Sequence, residues 1–192
     1  ILFNFLQVNH KLSFKILILL NDHFKWTEYW DELLDIFFEQ EEILTIMNTS
    51  ENIKIKVVAA EILLRNLVPF VYSTDLGHVE RLCNNVIGAF ENVSNSDVKL
   101  LIINRALYYK AMAYIEADRY KEALILYNKV IETYDENLTE EIKCIIARSM
   151  LKKVHILYNL MKYNETIQQC EILEKTFKDS EHPSIMRAVA GA

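Results

Sequence analysis

Turn-forming residues are scarce in this sequence, with three glycines and two prolines among 192 residues. Average usage is about 7% and about 5%. Tight β-hairpins draw on Gly or Asn at positive φ, so a chain this poor in glycine cannot build many of them. The same shortage leaves no Gly-rich phosphate loop. Cysteine is equally thin. Cys83, Cys144 and Cys170 are odd in number, widely spaced and free of any Cys-x-x-Cys pair. That pattern predicts free, buried thiols in a reducing compartment rather than a disulfide framework. Positive charge is outweighed, 21 Lys and Arg against 27 Asp and Glu, for a formal net charge of −6. Nucleic-acid affinity comes largely from cations neutralising phosphates, so a nucleic-acid partner is not expected.

Long apolar runs are missing too. The longest aliphatic stretch is 16–20, all Ile or Leu, whereas a membrane-spanning helix needs about 20 apolar residues. No secretory signal is evident, so the expectation is a cytoplasmic protein with no membrane partner. The five histidines, His10, His23, His78, His155 and His182, are scattered, and no His-Glu-x-x-His is present. No metal and no cofactor are expected. Adjacent carboxylates such as Glu41-Glu42 and Glu140-Glu141 read as solvated helix faces rather than acid/base pairs. Nothing in the chain points to an enzyme.

What is present is 52% hydrophobic and 25% charged residues, enough for a core and for a polar surface. The pattern repeats. Arg119-Tyr120-Lys121-Glu122-Ala123 lines up with Lys162-Tyr163-Asn164-Glu165-Thr166 at an offset of 43 residues. At the same offset Tyr127 maps to Cys170, Val130 to Leu173, Tyr134 to Phe177, Tyr108 to Leu151, Ala111 to Val154 and Tyr114 to Leu157. A step of 44 upstream takes Ala123 to Val79, Tyr127 to Cys83, Ile131 to Ile87 and Tyr134 to Phe90, and a further step of 50 reaches Trp26, Tyr29, Leu33 and Phe37. The 3.6-residue period places first helices near 4–22, 51–72, 96–117 and 140–161, and second helices near 25–41, 76–91, 119–134 and 163–177. A last helix begins near 183, with Pro183 in its first turn. Ser50, Ser96 and Thr139 are the expected N-caps. Pro69 should kink or end its helix early. The units of this single 1–192 domain are thus about 4–41, 51–91, 96–134 and 140–177, with a further one starting at 183–192. The chain opens on Ile1 and stops as that unit begins, so a piece of a longer protein is expected.

The series Leu107, Ala111, Tyr114, Tyr120, Ala123, Tyr127, Val130 resembles the tetratricopeptide repeat (TPR) family in its alternation of large and small residues. Met150, Val154, Leu157, Thr166, Cys170 and Leu173 follow suit. The resemblance is carried by 100–192 and fades upstream. The period of 43 to 50 residues departs from the family's usual length of about 34, and the excess reads as extra turns on each first helix. The resemblance implies an all-α fold, a right-handed α-α superhelix built as a TPR-like solenoid of antiparallel helix pairs. It also implies that first helices line a concave face.

Residues one turn apart on those helices then form rows: Lys11, Glu61, Arg105, Arg148; Phe14, Leu64, Tyr108, Leu151; Ile18, Val68, Met112, His155; Asn21, Val71, Ile115, Tyr158. The expected partner-binding set is Lys11, Phe14, Leu64, Arg105, Tyr108, Met112, Arg148, Leu151, His155 and Tyr158. Arginine forks suit carboxylates, and aromatic and Met side chains make adaptable anchors. The expected function is a protein–protein or protein–peptide interaction scaffold. The alternative is a ligand- or peptide-sensing regulatory region of a larger bacterial signalling protein. An open solenoid end also offers a route to a homodimer.

Overall fold

The computed structural model describes residues 40–72 and 75–192. The expected helix at 4–22, most of that at 25–41, and the row residues Lys11 and Phe14 lie outside the described residues. The described residues form α1 (Gln40–Thr49), α2 (Ile53–Asn66), α3 (Val68–Val71), α4 (Leu76–Phe90), α5 (Ser96–Glu116), α6 (Tyr120–Ile131), α7 (Glu140–Asn159), α8 (Tyr163–Phe177) and α9 (Pro183–Ala190). Among them there is no strand, and the fold class is all-α. No helix among them is long and apolar enough to cross a membrane.

The chain divides into two units, Ile1–Asn66 and Leu67–Ala192. In the first, α1 packs on α2, burying Ile43, Leu44 and Met47 from α1 and Ala59, Ala60, Ile62, Leu63 and Leu64 from α2. Helix α1 occupies a stretch that the sequence pattern leaves as a connection between 41 and 51. Its residues contain no Gly or Pro, and Ile43 and Met47 stand one turn apart, so nothing local stops the helix. Helix α2 ends at Asn66, and α3 restarts with Pro69 in its first turn. Pro69 has no N–H for the Arg65 carbonyl and its ring would collide with it, so one helix cannot run from 51 to 72.

In the second unit consecutive helices pack on one another from α4 to α9. In addition α5 packs on α7, and α7 on α9. Helix α4 buries Val79, Leu82, Cys83, Val86 and Phe90, a single stripe at helical spacing. Helix α7 touches α5, α6, α8 and α9, and correspondingly buries residues on several sides, with Ile142, Ile146, Met150, Val154 and Leu157 along one stripe and Ile145, Ala147, Ser149 and Ile156 beside it. Its buried Ser149 returns its hydroxyl to the Ile145 carbonyl at 2.8 Å, which satisfies the group inside its own helix. Ala111 and Ala123 are fully buried beside Tyr127. Their small side chains let α5 and α6 approach closely.

The repeat is visible in the backbone itself. The residues before α4, α6 and α8 are Asp75 (φ −88, ψ 64), Arg119 (φ −88, ψ 58) and Lys162 (φ −87, ψ 59). The end of α5 closes with Arg119 N–H donating to Tyr114 O at 2.8 Å and Asp118 N–H to Ile115 O at 3.0 Å. Forty-three residues on, Lys162 N–H donates to Leu157 O and Met161 N–H to Tyr158 O, both at 2.9 Å. This paired closure needs one residue in the left-handed region. With glycine so scarce, Asp118 (φ 56) and Met161 (φ 58) take that place. The ion pairs Arg119–Glu122 and Lys162–Glu165, each 2.8 Å, recur at the same offset.

Two of the three expected caps shift. Asn95, not Ser96, caps α5, its side chain accepting Val98 N–H at 3.0 Å. At α2 the Asn52 side chain accepts Lys54 N–H at 3.0 Å, while Ser50 supports Asn52 from behind at 3.2 Å. Asn competes well for the cap position because its amide oxygen reaches the orphan N–H groups. Thr139 does precede α7 but makes no side-chain cap bond.

Candidate interaction site

Register brings the first candidate residues together. Arg105 and Tyr108 stand one turn apart on α5, and Arg148 occupies the position on α7 equivalent to Arg105. Because α5 and α7 pack side by side, these three line one cleft of about 220 Å³. Tyr109 joins from α5, Glu141, Cys144 and Ile145 from α7, and His182 and Ser184 from the start of α9. The cleft exists because α9 lies against α7 and closes its far end. His182 is the N-cap of α9 and accepts Ser184 N–H at its Nδ1, 3.3 Å away, so the ring is fixed at the wall.

The remaining expected residues lie elsewhere. Met112 and Leu151 are half-buried, and Leu151 packs against the core of α7, α8 and α9. His155 is exposed. Tyr158 is 61% exposed and pairs edge-on with Tyr163, ring centroids 5.9 Å apart. Leu64 is 1% exposed within the first unit; a side chain that buried cannot line an open groove, and its expected role is corrected to core packing. The sequence rows miss Glu141, Cys144 and His182. The first two sit on the same face of α7, two turns and one turn before Arg148 respectively, so extending the row backwards would have found them. His182 carries no such signal, since it reaches the cleft only through the packing of α9 on α7.

The cleft is a set of donors. Burial pushes the Tyr108 phenol up, Arg148 partly offsets this, and Tyr109 and Tyr72 add to it. Burial likewise pushes the Cys144 thiol up against the pull of Arg148, with Glu140 and Glu141 adding. Both groups therefore keep their protons at neutral pH. Two guanidinium forks, two phenols and a thiol line the space, with Glu141 as the opposing carboxylate. That arrangement suits an acceptor-rich or acidic ligand group.

A second, more open trough of about 780 Å³ runs between the loops before α7 and α9, floored by Tyr134 and Phe177 and edged by Glu136, Asp179 and Glu181. None of the expected residues line it. Among the described residues no group of three or more His, Cys, Asp or Glu could hold a metal ion. All three cysteines are free. Cys83 and Cys144 are buried, and Cys170 is only half-buried. Comparison with known proteins finds no matching family model, no matching curated protein and no matching solved structure.

Proposed function

We propose that this chain is a protein–protein or protein–peptide interaction scaffold, and that residues 67–192 form a TPR-like right-handed superhelical array whose first-helix face receives the partner. The observation that carries the reading is the cleft in which Arg105 and Arg148, equivalent positions of successive units, stand with Tyr108. The recurrence of turn geometry, ion pair and core position at one offset supports the repeat. Stacked repeats present extended surfaces more readily than enclosed reaction chambers, which favours binding over catalysis. Transfer from architecture to function is an argument by analogy, and the cleft's donors narrow it. They select an extended segment that presents carboxylates or backbone carbonyls. A reducing, cytoplasmic setting suits three free thiols.

The test is a pull-down from source-cell lysate with the chain and with an Arg105→Ala/Tyr108→Ala/Arg148→Ala variant of matched circular dichroism. A partner retained by the first and lost by the second is the expected outcome. Equal capture by both would remove the cleft from the account.

A further inference from the structure

An apolar patch stands uncovered where α7 ends and α8 begins. Tyr158, Met161, Tyr163 and Ile167 are each more than half exposed. Tyr158 and Tyr163 hold each other edge-on, Met161 sits in the turn between them, and Ile167 follows Tyr163 by one helical turn. The repeat shows how the fold treats such a face. Forty-three residues earlier the equivalents Ile115, Tyr120 and Leu124 pack around Ala111, Ala123 and Tyr127, a cluster that Ile156 of α7 completes. There a helix lies on the face. Helix α9 stands to α8 as α7 stands to α6, but it runs only to Ala190, the equivalent of Ala147. It stops short of a position matching Ile156, and the start of α8 keeps its apolar side chains in the open.

We propose that this patch joins two copies of the chain in an isologous dimer. Helix α8 of one copy lies antiparallel to α8 of the other, with the two-fold axis between Tyr163 and Ile167, so that each Tyr163 meets the opposite Ile167. Three features select a second copy as the occupant. The area suffices. Aromatic side chains carry about 150–250 Å² each, so four large side chains more than half exposed offer roughly 500 Å² per copy. Two such patches bury about 1,000 Å², the threshold of a specific contact. The charges fit. Lys162 and Glu165 at the rim neutralise each other at 2.8 Å, so two copies meet without local repulsion. Glu171, one turn beyond Ile167, then faces the opposite α7–α8 turn, where Lys162 and the positive end of α8 stand. The polar edge is self-complementary. Asn164 and Gln168 flank Tyr163 and Ile167, and a side-chain amide both donates and accepts, so it can pair with another copy of itself. The patch shares no residue with the α5–α7 cleft, and the proposal is independent of what docks there.

The test is sedimentation equilibrium of the intact chain under reducing conditions, from about 1 μM to about 1 mM, where a contact of this size should give a monomer–dimer equilibrium. Added salt should hold or tighten it, because apolar burial drives the contact and the net charge of −6 opposes it. Tyr163→Lys and Ile167→Glu each put a charge into the contact at an exposed position of α8, and both new residues are good helix formers. Each alone should raise the Kd at least about a hundredfold with circular dichroism unchanged. Met161→Glu, in the turn, should weaken association without touching either helix. Mixed in equal amounts, the Tyr163→Lys and Ile167→Glu chains should associate about tenfold or more tightly than either does alone. One half of the contact then sets lysine against glutamate, and the other half keeps its native Tyr163 and Ile167. A chain that stays monomeric throughout the range, a Kd unmoved by the substitutions, or no recovery on mixing would each overturn the proposal.

Discussion

Replacing Tyr127 by Phe removes a single oxygen from the centre of the α5–α6 core. The Tyr127 side chain is 0% exposed and its hydroxyl has no hydrogen-bond partner among the described residues. The ring itself is well used, packing edge-on against Tyr108 with centroids 5.8 Å apart. The equivalent positions in the neighbouring units are Cys83 and Cys170, so the register asks for an apolar filler and not for a hydroxyl. A buried hydroxyl left unpaired costs about 1–3 kcal/mol, while the dispersion contacts of one oxygen are worth a few tenths at about 0.1–0.2 kcal/mol each. Tyr127→Phe should therefore stabilise the fold by about 1–2 kcal/mol. At about 2–4 °C per kcal/mol for a chain of this size, the Tm should rise by about 2–8 °C. Urea titration at neutral pH followed by circular dichroism reads the difference directly. The gain should widen in alkali. Burial holds the folded phenol above its ordinary value of 10.0, so above that pH the unfolded wild-type chain ionises while the folded one does not. The wild type then loses about 1.4 kcal/mol per pH unit that the Phe variant keeps. A Phe variant less stable than wild type, or equal to it across the pH range, would mean the hydroxyl is satisfied in the folded state.

Other outcomes follow from the same geometry. Met161→Gly should stabilise by about 1 kcal/mol, because a left-handed non-Gly residue costs about that much and the Met161 side chain is 74% exposed; unchanged urea midpoints would contradict this closure. Asn104→Ala should destabilise by about 1–3 kcal/mol, since the buried Asn104 amide donates to Thr133 Oγ1 at 2.8 Å, which in turn donates to the Val130 carbonyl at 2.7 Å. Alkaline stability should depend on Cys83, whose thiol burial pushes from 9.0 to about 12. Below pH 9 both states hold the proton, and between there and pH 12 the unfolded state releases it first. Cys83→Ala should therefore flatten the fall of stability with pH over that window, whatever it costs at neutrality. The exposed Met161 and Ile167 should promote association at high concentration, and Met161→Glu/Ile167→Glu should lower the sedimentation-average mass if they do.

Much of the helical layout is legible in the residues, because the second helices carry one buried stripe each and the intervening turns repeat at a fixed offset. The break before α3 is legible in Pro69 alone. Helix α1 is not, because its residues fall in the longer spacing between the first two units. Row positions place Arg105, Tyr108 and Arg148 correctly side by side, since equal register on packed helices is a local rule. Leu64 is instead 1% exposed within the first unit, and Leu151 is half-buried against the core that α9 joins. The Cys144–His182 contact is invisible to periodicity. It joins two helices through a packing that only the folded chain defines.

The central claim is that the α5–α7 cleft is where a partner docks. Its most direct test is site-specific photocrosslinking in source-cell lysate, with a benzoylphenylalanine placed at Tyr109 in the cleft wall or at Ile125, which is 55% exposed on α6 away from that wall. The account predicts a discrete adduct from position 109, lost when Arg105 and Arg148 are replaced by Ala, and none from position 125. Adducts of equal yield from both positions, or from 125 alone, would contradict it.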